Sequence, residues 1–328
     1  MFQNVSKNTL VVPVYPWAVQ GTYILDNIVS RSIGGIGILV NLFSVIILSH
    51  RTLRHKIYDF LWCRQFTSLL TCLSVAASYG FCFECDYDSE WVAYYTWYMI
   101  VAIRVFSLAS FISDILLIFN RYFEISRKTN FLGSLSKKFN LFICFSIPLV
   151  FCLPGYFAVN AEKNPSNGKF KLTLNVFGSS IYFRLYFFLV FILELVIPVS
   201  ILLWMNSISV FKFKHVMERH GDLTGNQTEA RKAERRFTRM VFLLSAITLV
   251  TRIIDMVTSI FNRISIISPS TFQQGTLELI VFSKSISVIF INIALAFDAL
   301  VYLRMDKNIW GLILSFTGRN NRVIILSF

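Results

Sequence analysis

The chain has 328 residues, of which 55% are hydrophobic and only 15% are charged; about a quarter of a typical soluble domain is charged. A soluble fold has too little interior to bury so much hydrocarbon. The composition therefore excludes an ordinary soluble enzyme, a disordered chain and a small disulfide-stapled secreted module, and it indicates an integral membrane protein. The net charge of +13 does not call for a nucleic-acid partner, because membrane proteins concentrate Lys and Arg in their cytoplasmic loops.

Long apolar stretches recur along the chain at the length that a bilayer requires, which is about 20 residues for a helix. There are seven: Ile28–Ser49, Ile57–Phe83, Val92–Phe119, Phe139–Val159, Ser180–Phe211, Phe237–Phe261 and Leu277–Leu303. A shorter amphipathic segment, Asp306–Phe316, is too short to span the bilayer and is expected to lie along its interface. The sequence therefore predicts an all-α membrane protein, a seven-transmembrane helix bundle with a short amphipathic eighth helix.

Basic residues are distributed unevenly between the two sets of connecting segments. Residues 50–56, 121–138, 212–239 and the tail from 304 hold 20 of the 31 lysines and arginines, whereas the segments on the opposite side hold five. The basic side is expected to be cytoplasmic. This orientation divides the chain into an extracellular N-terminus (1–27), a seven-transmembrane domain (28–303) and an amphipathic helix with a cytoplasmic tail (304–328). It makes the protein a multi-pass protein of the plasma membrane with the lipid bilayer as its surroundings.

The predicted outer side carries one modification signal and one pair of cysteines. Asn4 begins an Asn-Val-Ser tripeptide, which is a candidate site of N-glycosylation. Cys82 and Cys85 flank the outer end of the second span and could form a disulfide with each other. Metal binding there is a weaker alternative, since no second pair of ligands is evident.

Ionisable residues within apolar spans are costly and are hypotheses of function by default. At 1.5 Å of rise per residue, five of them fall in the outer halves of the third, fifth, sixth and seventh spans: Arg104, Glu194, Arg252, Asp255 and Lys284. They predict a polar ligand pocket, in which the three cations favour an acidic or hydrogen-bond-rich ligand and Glu194 could hold an amine. The alternative is mutual neutralisation, above all between Arg252 and Asp255, which are three residues apart on one helix face.

Two outer aromatic residues, Trp97 and Tyr182, are candidates for stacking on a ligand. An interfacial aromatic belt explains them at least as well. The sequence leaves both interpretations open.

A second polar group falls in the inner halves of the spans. Asp114 precedes Arg121 by seven residues, two helical turns, and Asn41 and Asp298 fall at a similar depth in the first and seventh spans. We expect Asn41, Asp114 and Asp298 to form a small buried network that acts as a switch. The alternative is that Asp298 is paired locally or lies near the interface.

The sequence offers no catalytic constellation. All four histidines fall in predicted inner loops and the intramembrane cysteines are scattered, so no triad or metal site is expected. We therefore predict that the protein is not an enzyme, and that it has no cofactor and no nucleic-acid partner.

The order and sidedness of several short motifs resemble those of rhodopsin-like (class A) G-protein-coupled receptors, in a divergent form similar to invertebrate neuropeptide (FMRFamide-like) receptors and serpentine chemoreceptors. Gly37 and Asn41 match the family's Gly-x-x-x-Asn, and Pro198 matches the single proline of its fifth helix. Two further motifs complete the resemblance, Asn120-Arg121-Tyr122 for Asp-Arg-Tyr and Asp298-Ala299-Leu300-Val301-Tyr302 for Asn-Pro-x-x-Tyr. The amphipathic segment matches the family's eighth helix.

The chain also departs from the family pattern. No Cys occurs in residues 86–143 or 153–328, so the usual disulfide between the third helix and the second outer loop cannot form, and the loop must be held differently. The central Asp of the second helix and the Cys-Trp-x-Pro motif of the sixth are missing. Asn120 replaces the acid that restrains the neighbouring Arg in the family, which predicts raised basal signalling.

The resemblance implies a receptor that binds an extracellular ligand and activates a heterotrimeric G protein. Asn120, Arg121, Tyr122, Asp298 and Tyr302 would be the residues of activation and coupling. The ligand would be a peptide or a small molecule, with a neuropeptide slightly favoured over an environmental chemical. Two other functions fit the apolar spans, a small-solute transporter or channel and a non-signalling scaffold.

Overall fold

The computed structural model describes residues 16–51, 53, 56–78, 87–125, 135–165, 167–221, 242–243, 245–261, 274–305, 309 and 312–313. The helices in this part of the chain are α1 (Pro16–Ile24), α2 (Ser30–Leu48), α3 (Lys56–Ala77), α4 (Glu90–Ile125), α5 (Lys137–Tyr156), α6 (Val176–Ser179), α7 (Ile181–Phe191), α8 (Ile197–Gly221), α9 (245–261) and α10 (Gln274–Met305). Two π-helical segments, Leu25–Val29 and Ile192–Val196, continue α1 into α2 and α7 into α8. A hairpin of β1 (Val159–Lys163) and β2 (Phe170–Leu174) lies between α5 and α6.

Within the described ranges, five helices are long and apolar enough to cross a membrane by length and composition: Gln20–Leu48, Ile57–Ala77, Glu90–Asn120, Lys137–Tyr156 and Glu278–Ala296. They fall on the first four predicted spans and the seventh. Two shorter apolar helices, Ile181–Phe191 and Ile197–Ser209, fall on the fifth. The sixth is helical over 245–261.

Three predicted boundaries were wrong. The second helix ends at Ala77, before the predicted Phe83. The first helix does not begin at Ile28 but at Pro16, so the second half of the segment predicted as an extracellular N-terminus is helical. The fourth helix ends at Tyr156 and Val159 already lies in β1. Apolar composition alone cannot locate the boundary between the fourth helix and β1, because a short apolar strand and the end of an apolar helix have the same residue types.

The distribution of polarity is the reverse of that in a soluble protein. Large apolar side chains lie on the outside of the helices, for example Leu39 at 70% exposure and Phe142 at 65%. Polar side chains of α3 are buried, among them Arg64, Gln65 and Ser68. An apolar exterior with polar groups turned inward is the arrangement that lipid requires, and the chain is therefore a membrane-embedded helical protein.

The helix ends on the predicted inner side share an apolar core. Ile47 of α2, Phe60 of α3, Leu117 of α4 and Leu202 of α8 belong to one buried cluster. Ile309 and Leu312, in the segment predicted to be amphipathic, belong to it as well, and Ile309 is fully buried. Ile313 packs partly buried against the same core. The rest of Asp306–Phe316 lies outside the described residues.

A glycine sets the close approach of three helices. A Cβ atom built on Gly37 of α2 would lie 2.5 Å from the Cys72 sulfur of α3 and 3.1 Å from Ala296 Cβ of α10. Small residues let helix backbones approach closely in membranes. Gly37, one turn before Asn41, therefore positions α2 against both neighbours.

The hairpin after α5 is attached to the start of α4. Its strands pair antiparallel, with Val159 opposite Leu174 and Lys163 opposite Phe170. Tyr87, just before α4, exchanges two backbone hydrogen bonds with Phe170, at 2.8 and 2.9 Å, and the Tyr94 hydroxyl accepts a bond from the backbone N–H of Ala161 at 3.2 Å. These bonds attach the loop between α5 and α6, which contains no Cys, to the start of α4.

Candidate functional site

A buried arginine connects several of the described helices on their predicted inner side. Arg64 of α3 is 1% exposed and forms ion pairs with Asp114 of α4 and with Asp298 of α10, the second at 2.6 Å. It also donates a hydrogen bond at 3.1 Å to the hydroxyl of Thr248 on α9. We call these four residues the inner ion cluster. A guanidinium offers five donors in a planar fork, and here one side chain connects four helices.

The structure brings Asp114 and Asp298 together, as the predicted inner network required, but through Arg64. Asn41 is buried nearby and makes different contacts: its amide donates to the carbonyl oxygens of Gly37, at 2.8 Å, and of Leu295, at 3.0 Å. Asn41 therefore fastens α2 to α10 beside the ion cluster. Asp298 is 2% exposed and paired across helices, so a local or interfacial pairing of this residue is wrong.

Sequence reasoning missed Arg64, although a signal for it was present. It lies in the predicted span Ile57–Phe83, well inside its inner end, and the rule that marks intramembrane ionisable residues applies to it as much as to Asp114. Polar residues surround it in sequence, among them Gln65, Thr67 and Ser68. All of them are buried, so α3 has a polar face turned into the protein.

A second group of charges lies toward the other end of α9 and α10. Asp255 of α9 forms an ion pair with Lys284 of α10. Lys284 also donates to the Ser259 hydroxyl at 2.6 Å, and the Ser287 hydroxyl donates to Asp255 at 3.2 Å. We call these four residues the outer ion cluster. It joins two helices, whereas the inner ion cluster joins four.

Arg252 does not pair with Asp255, so the predicted neutralisation within one helix was wrong, whereas Asp255 and Lys284 do neutralise each other across two helices. Its guanidinium turns to α4, where it donates to the Ser107 hydroxyl at 2.9 Å and to the Ser107 carbonyl at 3.2 Å. It also lies 4.9 Å from the centre of the Phe111 ring, within the range of a cation–π contact. Arg252 therefore fastens α9 to α4.

Helix α9, like α10, contributes to both ion clusters. Thr248, Arg252 and Asp255 follow each other along α9 at intervals of four and three residues, which places them on one face. Thr248 belongs to the inner ion cluster, Asp255 belongs to the outer one, and Arg252 contacts α4 between them. A rotation or shift of α9 therefore changes all three contacts at once.

Not all of the other predicted ligand residues are shown to lie at the outer ion cluster. Arg104 is exposed on α4, one turn before Ser107. The indole of Trp97 donates to the carbonyl of Gly155 on α5 at 2.9 Å, and Tyr182 is 77% exposed on α7. The contact of Trp97 is one of helix packing, and the exposure of Tyr182 is typical of an aromatic belt; stacking of either residue on a ligand stays a prediction.

The motif at the end of α4 is described in part. Asn120 is fully buried. Tyr122 packs against the apolar core and meets Phe123 edge to face, with ring centres 5.6 Å apart. The other predicted groups lie outside the described residues: Asn4, Cys82, Cys85 and the side chains of Arg121, Glu194 and Tyr302.

Cysteines and acidic residues show no metal centre in the described ranges. No three His, Cys, Asp or Glu side chains there lie close enough to hold a metal ion. Cys63, Cys72, Cys144 and Cys152 are buried thiols without a disulfide.

Comparison with models of known protein families finds no match for this chain, and comparison with curated proteins finds none either.

Proposed function

We propose that this protein is a G-protein-coupled receptor of the rhodopsin-like type, which binds an extracellular ligand and activates a heterotrimeric G protein at the plasma membrane. The observation that carries the proposal is the inner ion cluster, in which Arg64 joins α3, α4, α9 and α10 in the interior. Buried ion pairs contribute little net stability. A buried cluster that spans four helices is better suited to hold one of two helix arrangements, as a switch requires.

The helices support a count of seven spans in this proposal. Five helices have the length and composition of membrane spans. We assign the fifth and sixth spans to the continuous helix from Ile181 to Gly221 and to the helix at 245–261. An odd number of crossings places the two chain ends on opposite sides, and the basic inner segments make the N-terminus extracellular.

The contacts of α9 suggest how ligand binding reaches the inner face. A ligand that engages Asp255, Lys284 or Arg252 displaces α9 relative to α4 and α10. The hydrogen bond between Arg64 and Thr248 then breaks, because Thr248 lies on the same face of α9 as Arg252 and Asp255. The inner end of α9 moves outward, and the opened cleft admits the Gα subunit beside Arg121 at the end of α4.

The test measures recruitment of Gα subunits in living cells without any ligand. Cells express the full chain together with a panel of reporter-tagged Gα subunits, and recruitment is normalised to the receptor at the cell surface. Asp298→Asn removes one charge from the inner ion cluster and is expected to raise basal recruitment of at least one Gα severalfold. The matched control is Asp88→Asn, because Asp88 is exposed beside the hairpin.

Two results would overturn the proposal. The first is surface-expressed protein, wild type and Asp298→Asn, that recruits no Gα from a panel that covers all classes. The second is an ion current or solute uptake that depends on Asp298 and persists without any G protein, which would establish the transporter or channel alternative.

Expression in sensory endings, as opposed to neurons or muscle, would favour an environmental ligand over a neuropeptide.

A further inference from the structure

We infer that the inner ion cluster is a binding site for one proton, which Asp298 takes up, and that this proton controls the contact between α3 and α10. The cluster holds one guanidinium and two carboxylates at ion-pair distance, since Arg64 meets both Asp114 and Asp298. The three side chains are between 2% and 5% exposed, so water does little to stabilise the second negative charge. A buried charge that lacks a counter-charge of its own tends to be neutralised by a proton.

The two carboxylates are not equivalent. Asp114 has the Thr248 hydroxyl as a further hydrogen-bond partner, and Arg252 acts on it as a second cation. Asp298 has neither, because Arg64 is the one cation in the described part of the chain that acts on it. Its Oδ1 atom is buried and has no hydrogen-bond partner. Oδ1 of Asp298 is therefore the atom that we expect to bind the proton.

The described groups around this carboxylate offer no competing site for a proton. On α3 they are the Arg64 guanidinium and the Cys72 thiol, and on α4 the Asp114 carboxylate. The polar neighbour on α2, Asn41, is a neutral amide bonded to the backbone of α10, and Thr248 on α9 is a hydroxyl. A guanidinium and a thiol already carry their protons below about pH 8. Within this set, only the two carboxylates can take up a proton in that range.

Proton binding weakens one contact of the cluster and preserves the other. The protonated Asp298 still offers Arg64 an acceptor oxygen, but a hydrogen bond without an ionised acceptor has about half the strength of one between two charges. Arg64 and Asp114 remain as a balanced pair of one cation and one anion. Acid therefore loosens α10 from α3 and leaves α3 attached to α4.

The inference concerns the protein with or without a G protein. In the proposed receptor, acid would act in the same direction as Asp298→Asn, because a proton and the amide both remove the charge of this side chain. The site itself can be tested without any signalling partner.

The experiment detects the proton directly by infrared difference spectroscopy. The full chain in lipid nanodiscs is taken from about pH 8 to about pH 5.5, a range in which exposed carboxylates remain largely ionised. We expect the C=O band of a protonated carboxylic acid to appear in the wild type and to shift to lower frequency in D2O, as an exchangeable proton requires. Asp298→Asn should abolish this band.

Two further variants separate a shared cation from burial alone. In Asp114→Asn one carboxylate faces one guanidinium, and the band should be lost from this pH range because the remaining pair is balanced. Burial of Asp298 alone predicts that the band persists there. The matched control is Asp88→Asn, since Asp88 is an exposed partner of Lys169. Asp26→Asn is a second control, because Asp26 is a partly buried carboxyl group outside the cluster.

Three results would overturn the inference: no D2O-sensitive carboxylic acid band in the wild type over this range, a band that persists in Asp298→Asn, or a band that is unchanged in Asp114→Asn. The unfolding midpoint of each variant shows that its spectrum comes from folded protein, and the wild-type spectrum decides the first point without any variant.

Failure of the receptor function is a different result. A protein that takes up this proton and recruits no Gα retains this inference and refutes the proposed function. A protein that recruits Gα and shows no such band does the reverse.

Discussion

Arg64 of α3 and Asp298 of α10 meet at 2.6 Å, guanidinium nitrogen to carboxylate oxygen, with both side chains 2% exposed. The same guanidinium pairs with Asp114 of α4. One cation thus pairs with two carboxylates from different helices in the interior. The carboxylates depend on the guanidinium to remain charged there, because an isolated ion in such surroundings is very costly.

Replacing the central cation should be severely destabilising. We expect Arg64→Met to lower the free energy of unfolding by about 3 to 5 kcal/mol, since it leaves two buried carboxylates without a counter-charge. Arg64→Lys should recover little, because an ammonium group cannot reproduce the planar fork. Thermal unfolding in nanodiscs and surface expression measure both.

The triple variant Arg64→Met, Asp114→Asn, Asp298→Asn removes all three charges and should regain part of the lost stability. Arg184→Met serves as the control for the loss of an exposed arginine. An Arg64→Met protein as stable as wild type would show that the cluster carries no interaction energy.

The outer ion pair can be tested by exchange. Asp255→Lys or Lys284→Asp alone leaves two like charges facing each other, and each should lower the free energy of unfolding by about 2 kcal/mol, the scale of a charged hydrogen bond. The double exchange restores opposite charges, and Ser259 and Ser287 can still bond to either group because a hydroxyl both donates and accepts. We expect the double variant to be more stable than either single variant. Additive losses would contradict the pairing.

The hairpin should loosen when its side-chain contact with α4 is removed. Tyr94→Phe deletes the hydroxyl that accepts from the N–H of Ala161, a loss of about 1 kcal/mol. Amide hydrogen exchange of β1 is expected to accelerate, while the helices remain protected. Tyr98→Phe is the control, since Tyr98 lies one turn along α4 and contributes ring contacts with Tyr94 and Tyr156. Equal acceleration in both variants would contradict a specific role of the Tyr94 hydroxyl.

The neutral residue at the end of α4 should raise basal signalling. Asn120→Asp introduces the acid that restrains the neighbouring arginine in rhodopsin-like receptors, and we expect lower recruitment of Gα without ligand. Asn120 is fully buried, so the new carboxylate must be desolvated, and recruitment has to be compared at equal surface expression. Unchanged recruitment at equal expression would count against the restraint.

The positions of the membrane helices could be predicted from the sequence because hydropathy is a local property. Five long apolar helices lie where the apolar stretches are, although the first begins earlier than Ile28 and the fourth ends earlier than Val159. Asp114 and Asp298 were also recognisable, since a carboxylate in an apolar stretch is rare and must be compensated. These inferences need no knowledge of which helices are neighbours.

The partners of the charges were decided only by tertiary structure. Asp255 has Arg252 three residues away in sequence, yet it pairs with Lys284, because side-chain direction on α9 and the packing of α10 set which groups meet. Arg64 lies 50 residues from Asp114 and 234 from Asp298 along the chain. The rotation and depth of each helix fix such long-range pairs, and neither can be calculated from the composition of a single segment.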